Sequence, residues 1–382
     1  MPRPALIVSD LHLSPNSPVR ISSALAAVLE DHADAELIVA GDSLDLSLLR
    51  DPEATADSLT DYLRPHTSLR AALQQRLGRG VPVRFVLGNH DAPLGRSDAV
   101  QALRAVLRVQ DAAPLEVVPW FLRRGSVHIE HGHAYDPDNA DAHPLASPDC
   151  TLDSLGIALT RRFLAPSGAM RFKHRQHTTP LAGLVDCFRH YRHRAPGIVA
   201  HYFWVAGQLC FEARDPKRGL ASFARGKDKV DAFAADVGID AERLHRLIQA
   251  LPPARHLDAR ETFLRLYFDR TLPTAALAVS LPLALTGNGL AVGVAVASAL
   301  TLAISLRGGV NRYYRHAELE LERGADLVRQ LTGASHVILG HTHVEADEPG
   351  YTNLGSFAFT RSDAHAYVWL DEQQRIERRV VA

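Results

Sequence analysis

Five short clusters of donor residues punctuate the chain: Asp10-Leu11-His12, Gly41-Asp42, Gly88-Asn89-His90-Asp91, His131-Gly132-His133 and Gly340-His341-Thr342-His343. Each offers carboxylate, amide or imidazole donors and none offers a thiolate. Such a set suits Mn²⁺, Fe²⁺ or Zn²⁺ rather than a soft metal or an iron–sulfur cluster. The chain holds 20 histidines, and histidine is the commonest protein metal ligand. Its cysteines, Cys150, Cys187 and Cys210, are too few and too scattered for a disulfide framework or a Cys-based zinc site, so a reducing compartment is expected. One isolated D-x-H or H-x-H is ordinarily structural; five clusters in succession point to a metal centre.

Something must bring these distant clusters together. Each follows a short apolar run: Ala5-Leu6-Ile7-Val8, Leu37-Ile38-Val39-Ala40, Val83-Arg84-Phe85-Val86-Leu87, Ser126-Val127-His128-Ile129 and His336-Val337-Ile338-Leu339. These read as buried strands with polar C-terminal ends. Helical patterns lie between them, from about Ile21 to His32 and from Leu59 to Leu77, the latter stopping at Gly78. Strand–helix alternation implies a layered α/β core whose chemistry gathers at the strand C-termini. Residues i and i+2 of a strand share a face, so Asp10 with His12, and His341 with His343, are expected to point into one cavity. The alternation stops after about Asn139 and resumes near Ser335. The expected organisation is therefore a core in two parts, 1–139 and 335–382, interrupted by a mainly helical insert, 140–334, that caps the site.

The ordered pattern D-x-H, G-D, G-N-H-D, H-G-H, G-H-x-H resembles the calcineurin-like metallophosphoesterase superfamily. The resemblance covers about residues 5–139 and 335–380, including Tyr351-Thr352-Asn353-Leu354-Gly355-Ser356 as the strand after the last histidines. It implies a four-layer αββα sandwich with a two-metal site along one edge. Carried over motif by motif, it implies one ion held by Asp10, His12 and His343, another by Asn89, His131 and His341, and Asp42 bridging them. His90 would be the catalytic histidine beside the scissile phosphate, oriented by Asp91. Two cations so held acidify water near neutral pH and stabilise attacking and leaving oxygens. A protonated His90 could stabilise phosphoryl charge or protonate the leaving alkoxide.

The second block, Gly41-Asp42-Ser43-Leu44-Asp45-Leu46, and the third block's Asp91 depart from the protein serine/threonine phosphatases of the superfamily. Ser9-Asp10-Leu11-His12-Leu13-Ser14 is closer to the bacterial branch that includes UDP-2,3-diacylglucosamine pyrophosphatases, although those typically carry arginine where this chain has His90. Bacterial DNA-repair nucleases of the superfamily share G-N-H-D, so a nuclease stays open as an alternative, as does a catalytically silent metal-binding scaffold.

Net charge is −1, from 42 basic and 43 acidic residues, so nothing global draws the chain to nucleic acid or anionic lipid. The insert is uneven. Arg161, Arg162, Arg171, Lys173, Arg175, Arg189, Arg192 and Arg194 share one stretch with a single acid, Asp186; this is either a solvated helix face or a phosphate- or headgroup-binding surface. His174/His177 and His190/His193 could each share a helix face, but lack partners for a closed metal site. Tyr202, Phe203 and Trp204 read as packing residues rather than a base-stacking platform. Residues 275–306 carry no charge over 32 positions, more than the ~20 that span a bilayer. They break at Thr286-Gly287-Asn288-Gly289, leaving arms of about 12 and 17 residues, short for full spans. Because ligands before and after this stretch must meet, the chain must return to the same side. The expectation is a helical hairpin entering membrane, with a buried hairpin in a soluble cap or dimer interface as the alternative; Arg270 and Arg307 bracket it as interfacial anchors would.

Together these readings anticipate a dinuclear phosphoesterase, hydrolysing a phosphomonoester, phosphodiester or pyrophosphate on a membrane-proximal or lipid-linked substrate. With no basic n-region, apolar h-region or cleavage site before the first strand, a cytoplasmic location at the inner membrane's inner face is expected.

Overall fold

The apolar runs do become strands, and the computed structural model describes them within residues 3–146, 152–172, 180–360 and 364–381. In chain order they are β1 (Ala5–Val8), β2 (Glu36–Ala40), β3 (Val83–Val86), β4 (Leu115–Val118), β5 (Phe121–Arg124), β6 (Val127–Glu130), β7 (His336–Leu339), β8 (Glu345–Glu348), β9 (Tyr351–Leu354), β10 (His365–Leu370) and β11 (Ile376–Val381). One sheet has the order β11-β10-β1-β2-β3-β4, the other β5-β6-β7-β9-β8. β1 to β4 run parallel, with Ile7 opposite Ile38 and Val39 opposite Phe85; β6, β7 and β9 are also parallel.

Burial on both faces explains why these strands read as unbroken apolar runs. Ile7, Ile38, Val86, Ile129, Ile338 and Val368 fill the space between the sheets. The alternate residues Leu6, Val8, Leu37 and Val39 face the other way, against Leu25, Leu29, Leu63 and Leu73. On the second sheet's outer face, Val337 and Leu339 meet Phe233, Leu244, Leu247, Leu321 and Val328. Helix, sheet, sheet, helix is the expected four-layer α/β sandwich.

Two details differ from expectation. The helical pattern through 59–77 is two helices, Thr55–Leu63 and Thr67–Gly78. Pro65 sits at the junction, where it cannot donate the next backbone hydrogen bond. The compact units also divide differently from the expected boundaries at 139 and 334. The first unit comprises Met1–Ile157, Gly219–Ala254 and Ala317–Ala382. Helices Val230–Val237, Ala241–Ala250 and most of His316–Thr332, all within the anticipated insert, thus build the outer layer of the second sheet. That sheet has an apolar outer face, and the chain covers it with sequence drawn from the interruption.

The second unit, Ala158–Arg218 and Arg255–His316, is helical. Its main elements are Pro180–Tyr191, Ala195–Glu212, Ala259–Arg265, Phe268–Leu285 and Gly289–Leu306. The last two form the anticipated hairpin, turning at Thr286-Gly287-Asn288. Each arm is 18 residues long, not about 12 and 17. The first arm starts in charged sequence at Phe268, because helix and charge boundaries are set by different physics.

Candidate metal centre

At the ends of β1, β2 and β7 the chain turns through left-handed conformations. Asp10, His12, Asp42, His341 and His343 all have positive φ, between 44° and 71°. Such φ values are uncommon and costly for residues with side chains, yet five candidate ligands adopt them. The donors therefore converge by tight loop geometry and not by the i, i+2 alternation of a strand, which would have required the strands to continue past Val8 and Leu339. Adjacent loops lock together: Asp10 N donates to Gly41 O at 3.1 Å and His12 N to Asp42 O at 2.9 Å. Space is equally restricted. A side chain at Gly88 would place its Cβ 2.2 Å from Asp42 Oδ1, and one at Gly41 would lie 2.3 Å from the His131 ring.

One group of donors comprises Asp10, His12 and His343. His343 Nε2 lies 2.9 Å from Asp10 Oδ1 and 3.2 Å from His12 Nε2. Asp10 Oδ2 is held by Ser9 Oγ and the His341 N–H, whereas its buried Oδ1 faces the His343 and His12 imidazoles. A second group comprises Asp10, Asp42 and His131. Asp42 Oδ2 is 3.3 Å from His131 Nε2 and 3.7 Å from His12 Nε2, a position between the two groups. His131 Nε2 further neighbours Asn89 Oδ1 at 3.2 Å and His341 Nδ1 at 3.3 Å. All seven residues expected as ligands are thus brought together.

Their hydrogen bonds fix which atom faces inward. His131 Nδ1 is 3.1 Å from the Ala40 carbonyl, which can only accept, so Nδ1 carries the proton and Nε2 is the free donor atom. His341 Nε2 is 3.0 Å from Asp136 Oδ2, leaving Nδ1 toward His131. Asn89 Nδ2 donates to Asn139 Oδ1 at 3.2 Å, and Asn139 Nδ2 to Asp136 Oδ2 at 2.7 Å, which turns Asn89 Oδ1 into the site.

This arrangement fits divalent ions. Nitrogens and oxygens 3.2–3.3 Å apart match the edge length of a shell with metal–ligand bonds of roughly 2.0–2.2 Å. The His12 and His343 nitrogens face each other beside Asp10 Oδ1, and a cation is the group that all three can share. In the metal-free protein a proton on His131 offsets part of the buried carboxylate charge. Burial opposes a charged His131, but Asp42 and Asp10 outweigh it and hold the imidazole up to about 10. Burial likewise works against the Asp10 and Asp42 carboxylates, and the surrounding histidines nevertheless keep both well below the usual range.

The expectation for Asp91 is corrected. Its carboxylate accepts from Ser43 N and Ser43 Oγ, both at 2.6 Å, and from Gly88 N at 2.7 Å, so it ties the loop after β2 to the loop after β3. Burial, then the Asp42 charge, raise its pKa. The carboxylate against His90 is Asp45: its Oδ1 lies 3.0 Å from His90 Nδ1, beside Ser47 Oγ at 2.9 Å. His90 itself stands next to the ligands, its ring centroid 4.8 Å from that of His12.

Asp45, Asp136 and Asn139 were not anticipated as part of the site. Asp45 follows Asp42 by three residues and Asp136 follows His133 by three, so polar residues just past the motifs were the available signal. In the insert, His174, His177, Lys173 and Arg175 lie outside the described residues, as does Cys150. His190 engages its own helix at Asp186, and among the described residues the groups able to hold a metal are those of the strand ends. Trp204 does not pack as expected: it is 67% exposed.

Residues 3–166 match the calcineurin-like phosphoesterase family model, a stretch that contains Asp10, His12, Asp42, Asn89, His90 and His131. His341 and His343 lie beyond it in sequence and join the same cluster in the fold. No curated protein sequence matches the chain.

Proposed function

We propose that the protein is a metal-dependent phosphoester hydrolase with two divalent ions, one held by Asp10, His12 and His343, the other by Asn89, His131 and His341, and with Asp42 between them. The observation that carries this reading is the convergence of all seven donors, with Asp42 Oδ2 placed between His12 and His131. Bound there, the ions supply Lewis-acid stabilisation of a phosphoryl group and a water acidified for attack.

The chain's own residues do the rest. Asp45 accepts a hydrogen bond from the Nδ1–H of His90, so that Nε2, when protonated, hydrogen-bonds a phosphoryl oxygen or passes its proton to the departing alkoxide and leaves the neutral Nδ1–H imidazole. Asp136 and Asn139 keep His341 and Asn89 in register. Asp91 and the glycines at 41 and 88 hold the loops close enough for the donors to meet. The finer reading is a substrate at or in a membrane, with a phosphate head and apolar tails, supported by the charge-free helical hairpin of the second unit.

The test is hydrolysis of bis-p-nitrophenyl phosphate and p-nitrophenyl phosphate with and without Mn²⁺. Metal-dependent release that disappears in Asp42→Ala and falls strongly in His90→Ala supports the proposal. No metal-dependent release by the wild type would favour a silent scaffold. Activity that collapses with salt on DNA but not on the small esters would favour the nuclease reading.

A further inference from the structure

The hairpin of the second unit is built inside out. Its arms, Phe268–Leu285 and Gly289–Leu306, meet through small or short residues: Ser280, Ala291, Ala295 and Ser298 are buried. The large apolar side chains point away. Leu285 and Leu290 are 82% and 81% exposed, and Val279, Val296, Leu300 and Ile304 are each more than half exposed. At 100° per residue, the outward apolar positions of the second arm cover roughly two-thirds of its circumference. A second copy of the chain could cover one side of such a pair; only a surrounding apolar phase covers all of it.

Length and charge agree with that phase. Each arm has 18 residues, or about 27 Å of helix, against a bilayer hydrocarbon core of roughly 30 Å. No charged residue occurs between Arg270 and Arg307, the turn included. The second arm is long and apolar enough to cross a membrane by length and composition.

The base of the hairpin is different. Arg270 is buried and donates to Ser305 Oγ and to the carbonyls of Ser305, Gly309 and Val310. Arg312 pairs with Asp269 at 2.7 Å and lies over the Tyr267 ring. This clasp satisfies every carbonyl it reaches and holds both ends of the hairpin together, so chain entry and exit lie on one side. Beside the base, the Phe203 ring neighbours Phe268, and the same helix presents Trp204 and Phe211, 67% and 73% exposed. Aromatic side chains concentrate where hydrocarbon meets headgroups.

From these independent features we infer that residues 268–306 insert into the hydrocarbon of a lipid bilayer as a hairpin, with its polar clasp and the 203–211 aromatic face at the near interface. The inference does not rest on the hydrolytic reading.

Flotation of the full-length chain with vesicles of uncharged phosphatidylcholine tests it. In molar salt and without detergent, the wild type is expected to rise with the vesicles. The double variant Val296→Glu, Ile304→Glu changes two exposed positions that a soluble hairpin would tolerate, and is expected to cut the floated fraction at least about tenfold while keeping the wild-type far-UV circular dichroism. Wild type that stays at the bottom of the gradient, as monomer or soluble dimer, would overturn the inference. So would flotation lost in molar salt, the mark of headgroup attraction alone, or a double variant that floats like wild type.

Discussion

In the proposed mechanism the Asp45 carboxylate at Nδ1 sets the role of His90. Asp45→Asn removes the charge and keeps the size. The expected result is a fall in kcat on bis-p-nitrophenyl phosphate of about 10²-fold or more, with Mn²⁺ affinity within a factor of two of wild type. Equal losses of both would make Asp45 merely structural. Asp136 makes the opposite case, because it contacts His341, a proposed ligand, and not the proposed acid His90. Asp136→Ala frees His341 to rotate, and Mn²⁺ affinity is expected to drop about 10–100-fold, with kcat at saturating metal far less affected. Metal titration followed by steady-state kinetics separates the two residues.

The same contrast shows what the sequence could reveal. Candidate donors follow apolar runs directly, so the clusters themselves are legible; it is the family resemblance that selects Asp10, His12, Asp42, Asn89, His131, His341 and His343 from them, and the fold brings these seven together. Their supports are not legible, since Asp45 meets His90, and Asp136 meets His341, only once the loops fold. Asp91 illustrates the hazard of adjacency: next to His90 in sequence, it serves Ser43 and Gly88 in space.

Among elements, the central strands were legible because burial on both faces leaves an unmistakable apolar run, while β4, β5, β8 and β11 lie at sheet edges, carry charged residues and leave little pattern. The helices over the second sheet lie inside the interruption 140–334 yet pack with the first unit, because sequence order does not reveal which apolar face a helix covers. Another helix of the first unit, Leu220–Lys227, meets His143 so closely that a Cβ at Gly226 would fall 2.2 Å from its Nδ1. Burial, then the nearby His245 charge, lower the His143 pKa from 6.5 to about 4. The unfolded chain therefore binds this proton more tightly. Stability from neutral His143 is present above pH 6.5 and is lost as pH falls toward 4, by up to about 3 kcal/mol. Urea denaturation at pH 7.5 and pH 4.5 is expected to show a smaller acid loss for His143→Gln than for wild type; equal losses would contradict it.

At the scale of the molecule, two units of opposite character share one chain. The first gathers donors from both ends of the sequence onto the edge of a sandwich; the second carries a charge-free hairpin that near-neutral overall composition conceals. Their chemistry is separable, so metal removal is expected to act on one alone. Chelation should abolish ester hydrolysis and lower the first unit's thermal stability, since ions that bind only the folded state stabilise it, while flotation with vesicles persists. Loss of flotation on chelation would mean that the units are coupled.

Whether the strand-end cluster holds two metal ions is decided by metal stoichiometry. Protein stripped with chelator, reloaded with Mn²⁺ and freed of excess ion is expected to retain two ions per chain by elemental analysis, and Asp42→Ala, lacking the carboxylate between the two groups, no more than one. Retention of no ion by the wild type, or of the same number by Asp42→Ala, would contradict the account.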